Sequence, residues 1–75
     1  MNLDDQRFLR DLGLRFRQQR LARKWTQSDL AKRCSLHRTF IGSVERGERN
    51  LSILNVRLIA KVLRVPLSHL FADLA

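Results

Sequence analysis

The stretch Thr26-Gln27-Ser28-Asp29-Leu30-Ala31-Lys32-Arg33-Cys34-Ser35-Leu36-His37-Arg38-Thr39-Phe40-Ile41-Gly42-Ser43-Val44-Glu45-Arg46-Gly47 decides the fold. Its left end holds the clearest start signal in the chain. Thr26 can cap a helix, and Asp29, three residues on, completes a reciprocal capping box; Trp25 and Leu30 stand where a hydrophobic staple needs them. The spacing predicts a helix over Gln27 to Cys34. Ser35-Leu36-His37 then allows only a tight turn before a second short helix, Arg38 to Arg46, which Gly47 stops. On a helical wheel, Phe40, Ile41 and Val44 share one side of that second helix, and Arg38, Thr39, Gly42, Ser43 and Arg46 the other. One side is core. The opposite side is short, polar and basic, as a helix that enters a nucleic-acid groove requires.

Outward from this pair the pattern stays helical. Before it, Asp5 to Lys24 reads as one long helix with Phe8, Leu9, Leu12 and Phe16 in a stripe and Arg7, Arg10, Arg15, Arg17 and Arg23 mostly outside it. Asp4 and Asp5 suit its positive N-terminal end, Arg23 and Lys24 its C-terminal end. After it, Ser52 caps a helix over Ile53 to Leu63, with Leu51 and Val56 as staple. Val65-Pro66 breaks the chain, and Leu67 to about Leu74 forms a short last helix. No alternating apolar run marks a strand, so the expected class is all-α, with five helices. A single domain is expected over residues 1–75, with the two short helices at 27–46 and the last two helices, 53–74, free for pairing.

Charge narrows the partner. Fifteen Lys and Arg stand against seven Asp and Glu, a formal net charge of +8. Most of the bases are arginine, whose planar fork suits phosphates and guanine edges, so an anionic partner is expected, nucleic acid before an acidic membrane. Cys34 is the one cysteine, which excludes an intrachain disulfide; with only His37 and His69 beside it there is no structural zinc set. No metal and no cofactor are expected. The acidic start of the chain does not read as a secretory signal and no apolar run approaches bilayer length, which makes the bacterial cytoplasm the default compartment.

Two short helices joined by a tight turn, inside a basic all-helical domain, make a helix-turn-helix. Leu12-Gly13, Phe16-Arg17, Arg20, Trp25-Thr26-Gln27, Asp29-Leu30-Ala31 and Val44-Glu45-Arg46-Gly47 resemble the lambda-repressor-like, or XRE, helix-turn-helix family. The run Leu36 to Asn50 is most similar to the controller proteins of restriction-modification systems, which are small autoregulatory dimers. The resemblance implies a five-helix lambda-repressor-like domain that binds double-stranded DNA in the major groove. It places Arg38, Thr39 and Ser43 at base edges, Gln27, Arg46, Arg49 and Asn50 at the DNA backbone, and Arg20 with Glu45 in a structural ion pair between the first and third helices. RNA polymerase is a candidate further partner.

Several positions admit two readings. Arg38 is a base or phosphate contact, or a solvated arginine at a helix start; Thr39 and Ser43 are DNA contacts or ordinary surface residues. Phe40, on the boundary of the wheel, is core-edge packing or a thymine-methyl contact. Gly42 costs the helix about 1 kcal/mol relative to alanine, which we read as room for the backbone to approach the groove. Cys34 reads as buried packing. His37 stands at a cap where the family has a hydroxyl or an acid. Ser35 replaces a turn glycine, implying a left-handed residue or a different turn.

The fourth helix has apolar residues around most of its circumference, more than one small core can bury, and Leu67, Leu70, Phe71 and Leu74 add to the surplus. A two-fold homodimer using Leu63, Leu67, Leu70, Phe71 and Leu74 is the economical solution, and it sets two groove-reading helices about one DNA turn apart on a near-palindromic site. Packing inside one protomer is the rival. No paired carboxylates, activated nucleophile or phosphate-cradling loop points to an enzyme. The expected function is therefore a dimeric transcription regulator, a controller of its own and restriction-modification genes. A phage-type repressor, or an antitoxin-like module that binds a protein, is the alternative.

Overall fold

Five helices, and no strand, form among the described residues: α1 (Leu3–Ala22), α2 (Gln27–Cys34), α3 (Arg38–Glu45), α4 (Ile53–Leu63) and α5 (Leu67–Phe71). The computed structural model describes residues 1–74, so Ala75, the end of the expected domain, lies outside the described residues. α2, α3 and α4 fall where their start signals put them. α1 begins earlier than expected because Asn2, not the acidic pair, caps it: the Asn2 side chain accepts from the Asp5 N–H at 2.8 Å. α5 is shorter than expected and ends at Phe71, where Ala72 turns extended.

The core gathers one face from every helix. Leu12 and Phe16 of α1, Leu30 and Ala31 of α2, Ile41 and Val44 of α3, Val56, Ile59, Ala60 and Leu63 of α4, and Leu70 of α5 are all buried together. Removing that apolar surface from water is the main force holding five short helices in place, since none of α2 to α5 is long enough to be stable alone. Cys34 is part of this core, and burial pushes its thiol above the ordinary cysteine value, away from reactivity.

Helix endings repeat one device. At the ends of α1, α2, α3 and α4 a residue turns left-handed: Lys24, Ser35, Gly47 and Arg64. Each ending makes the paired backbone bonds of a Schellman motif; for α3 these are Glu48 N–H to the Ser43 carbonyl at 2.9 Å and Gly47 N–H to the Val44 carbonyl at 3.0 Å. Only Gly47 adopts this conformation without steric cost. Ser35, with φ 55° and ψ 39°, is thus the left-handed residue of the two readings, and it keeps the turn the glycine pattern implies. Ser35→Gly is expected to stabilise the fold by about 0.5–1 kcal/mol, the relief of strain offset in part by glycine's greater freedom when unfolded. A urea midpoint that falls would show that the serine is not strained.

α1 reaches α3 through a small contact. A Cβ built on Gly13 would overlap the carbonyl oxygen of Val44 and sit 2.8 Å from that of Glu45. The helix backbones therefore touch there, and only glycine fits. At the other end of the fold, Arg15 of α1 donates to the carbonyls of Leu70, at 3.0 Å, and Ala72, taking the open end of α5 in hand.

Candidate nucleic-acid interface

α2 and α3 hold the site, and their first residues are set by side-chain caps. Thr26 N–H donates to Asp29 Oδ2 at 2.8 Å and Asp29 N–H to Thr26 Oγ1 at 3.0 Å, the two halves of the expected box. The Thr26 backbone bond, first, holds the Asp29 carboxyl below the ordinary carboxylate range. That contribution is present at neutral pH and is lost as pH falls through the lowered value. At α3 the His37 ring caps: its Nδ1 faces the Thr39 hydroxyl at 2.9 Å and the Thr39 N–H at 3.5 Å. The imidazole thus fills the role of the hydroxyl or acid it replaces, with a longer bond to the backbone.

Behind α3 lies a buried polar knot. Arg20 Nε donates to Glu45 Oε2 at 2.7 Å and Nη2 to Oε1 at 3.0 Å, a two-pronged, buried pair. Arg20 Nη1 also donates to the Trp25 carbonyl at 2.7 Å, so one guanidinium fixes the end of α1, the lead into α2 and the end of α3. Gln27 Nε2 donates to Glu45 Oε1 at 3.2 Å. The first side chain of α2 is thereby pinned across to α3.

Gly42 belongs to the same arrangement. It is buried, and a Cβ there would come 3.1 Å from Arg46 Nη1 and 3.3 Å from Gln27 Oε1. The sequence reading, which left Gly42 open toward a groove, is corrected: the missing side chain makes room for Gln27 and Arg46 to lie against α3.

The outer face of α3 presents Arg38 and Thr39, both exposed. No carboxylate pairs with Arg38 among the described residues. Arg46, the C-terminal cap residue of α3, pairs at its surface with Glu48 at 3.1 Å; that bond, first, raises the arginine's pKa and lowers the glutamate's. Arg49 and Asn50 follow in the exposed loop before α4. Ser43 departs from expectation: it is buried, 9% exposed, and its hydroxyl donates to the Phe40 carbonyl at 2.7 Å. Phe40 packs half-buried against the core, with the Arg49 guanidinium 5.1 Å above its ring.

Leu63 and Leu70, assigned above to a pairing surface, are corrected too. Both are fully inside the protomer's own core and have no surface to offer a partner. Leu67, Phe71 and Leu74 are half-buried, and the Phe71 ring stacks on Phe8 with centroids 6.4 Å apart. The exposed apolar residues of α4 are instead Ile53 and Leu54, 65% and 68% exposed. Ile53 lies one turn before Val56, beyond the end of the core, and Leu54 faces away from Val56, Ile59 and Leu63 on a helical wheel. Sequence reading also passed over Arg33, whose guanidinium lies 4.1 Å above the Trp25 ring.

Residues 16–70 match the family described as Helix-turn-helix. The chain belongs to that family. Among similar proteins, Control protein C.BamHI of Bacillus amyloliquefaciens is 46% identical over 54 residues, 71% of this chain and 67% of that protein. The restriction-modification controller protein C.AhdI from Aeromonas hydrophila has a similar structure, with a TM-score of 0.80 and 38% identity over 84% of this chain and 96% of that one. The restriction-modification controller protein C.Esp1396I gives 0.78 and 38% over 85% and 82%. This helix-turn-helix protein is accordingly a DNA-binding regulator and not an enzyme. No helix among its described residues is long and apolar enough to cross a membrane.

Proposed function

We propose that this helix-turn-helix protein is a controller protein that binds a near-palindromic operator as a homodimer, in the bacterial cytoplasm, and regulates its own and restriction-modification genes. The observation that carries the DNA half of the proposal is the outer face of α3: Arg38 stands exposed with no carboxylate partner among the described residues, and Thr39 is exposed beside it, on a helix fixed from behind by the Arg20–Glu45–Gln27 knot. A rigid helix with a free guanidinium can hold a guanine edge by two bonds. Gln27, Arg46, Arg49 and Asn50 flank it as backbone grips, and the net charge of +8 supplies the general attraction. The controller half rests on the likeness to C.BamHI, C.AhdI and C.Esp1396I.

Selection from random duplexes tests the operator. A two-fold site should emerge, bound tightly at physiological salt and progressively more weakly as salt rises. Arg38→Ala is expected to cost about 1–3 kcal/mol on that site and to relax preference at one base pair per half-site, whereas Gln27→Ala weakens all sequences alike. If selection yields no preferred sequence, the proposal fails.

Pairing uses α4 and α5, with exposed Ile53 and Leu54 joining Leu67, Phe71 and Leu74 as the apolar surface. Leu54→Glu adds a charge to that surface without touching the core. Sedimentation should show it as a monomer at concentrations where the parent protein is a dimer, and unchanged association would remove α4 from the interface.

A further inference from the structure

Arg49 lies beyond the end of α3 yet returns to it at two points. Its Nε donates to Ser43 Oγ at 3.1 Å, and its guanidinium lies over the Phe40 ring, 5.1 Å from the centroid. Ser43 is itself fixed, because its single hydroxyl proton is committed to the Phe40 carbonyl at 2.7 Å. Phe40 and Ser43 therefore form a platform, one ring and one oxygen, on which an exposed arginine rests. The Nε edge of Arg49 is occupied by this bond. Its Nη1 and Nη2 fork is open, and no carboxylate pairs with it among the described residues, Glu48 being paired with Arg46. A guanidinium held on an aromatic face with its fork free is set to donate to two oxygens of one anion.

We propose that Ser43 is a positioning residue for Arg49 rather than a reader of bases, and that Ser43 and Phe40 pre-set the Arg49 fork for a DNA phosphate at the edge of the groove. The proposal rests on the operator-binding reading above. An arginine that is free in solution must lose rotamer freedom when it grips a phosphate; one already held by Ser43 and Phe40 has lost it on folding. Ser43 then contributes affinity on every sequence alike, because a phosphate contact carries no base information.

The test is a double-mutant cycle read on two DNAs, the selected operator and a random duplex, across a salt series. Arg49→Ala should weaken binding to both and reduce the salt slope by about one. Ser43→Ala should weaken both by roughly three- to tenfold, the range expected from freeing one long side chain. In the Arg49→Ala background, Ser43→Ala should change neither DNA by more than about twofold. Phe40→Leu keeps an apolar group at the core edge and removes the ring; it should behave as Ser43→Ala does in both backgrounds. Thermal melting of each variant separates loss of grip from loss of fold. A Ser43→Ala loss of equal size with or without Arg49 overturns the proposal, as does a change of base preference at one position with the random duplex unaffected. If the parent protein prefers no sequence, the operator reading fails, while the coupling between Ser43 and Arg49 is still decided on the random duplex.

Discussion

Glu45→Ala is expected to destabilise the fold by about 3–5 kcal/mol, because it leaves the Arg20 guanidinium buried without its charge partner. The geometry makes this the worst single deletion in the polar part of the molecule. Both Glu45 oxygens are occupied, by Arg20 at 2.7 and 3.0 Å and by Gln27 at 3.2 Å, and both side chains of the ion pair are buried. A chain of 75 residues has roughly 4–11 kcal/mol of stability in total, so the variant is expected to lose from about a quarter of it to all of it. Loss of the carboxylate differs from loss of the pair. Replacing Arg20 and Glu45 together with methionine and leucine removes both charges and fills the space, and should recover much of the deficit. Urea unfolding of the single and double variants checks both statements. A single variant within about 1 kcal/mol of the parent protein would mean that water reaches Arg20 freely.

Gly13→Ala is the second large effect, about 3 kcal/mol destabilising, although alanine is favoured over glycine by about 1 kcal/mol in a helix interior. The added methyl meets backbone, not flexible side chain: the carbonyl oxygens of Val44 and Glu45. Backbone at the end of α3 cannot move aside without disturbing the Gly47 to Val44 bond and the seat of Glu45. α1 must tilt away, opening the core around Leu12 and Phe16. A melting temperature that rises instead would show that the two helices have slack between them.

The starts of α2 to α5 were legible, as were the ends of α2 and α4 and, to within one residue, that of α3; the start of α1, the end of α5 and most of the left-handed turns were not. Thr26 with Asp29, and Ser52 before Ile53, are caps made by side chains acting on their own backbone, a local event that local spacing reveals. Lys24, Ser35 and Arg64 take left-handed conformations that no feature of those side chains favours; the packing on either side imposes them. At the end of α5 the carbonyl of Leu70 is met by Arg15, far away in sequence, a contact that no local spacing records. The site divides the same way. Arg38 and Thr39 were readable from the wheel of α3, since exposure follows from periodicity. The burial of Ser43 was not readable, because its wheel position is polar while the side chain that covers it, Arg49, arrives from outside the helix. Leu63 and Leu70 were misread because a surplus of apolar residues shows that some surface remains, not which residues form it.

The Arg15 contact with the end of α5 bears on how the molecule comes apart. α5 has five residues and no side-chain cap at Pro66, and it is fastened by one fully buried leucine, Leu70, by the half-buried Leu67 and Phe71, and by that one guanidinium. As the shortest helix, it is expected to open first, and its amides should exchange with solvent before those of α2 and α3. Because α5 also lies in the proposed pairing surface, every opening event in a free protomer removes part of that surface. On that proposal, association and closure of α5 are linked by mass action, and dilution is expected to loosen the C-terminal end before α3.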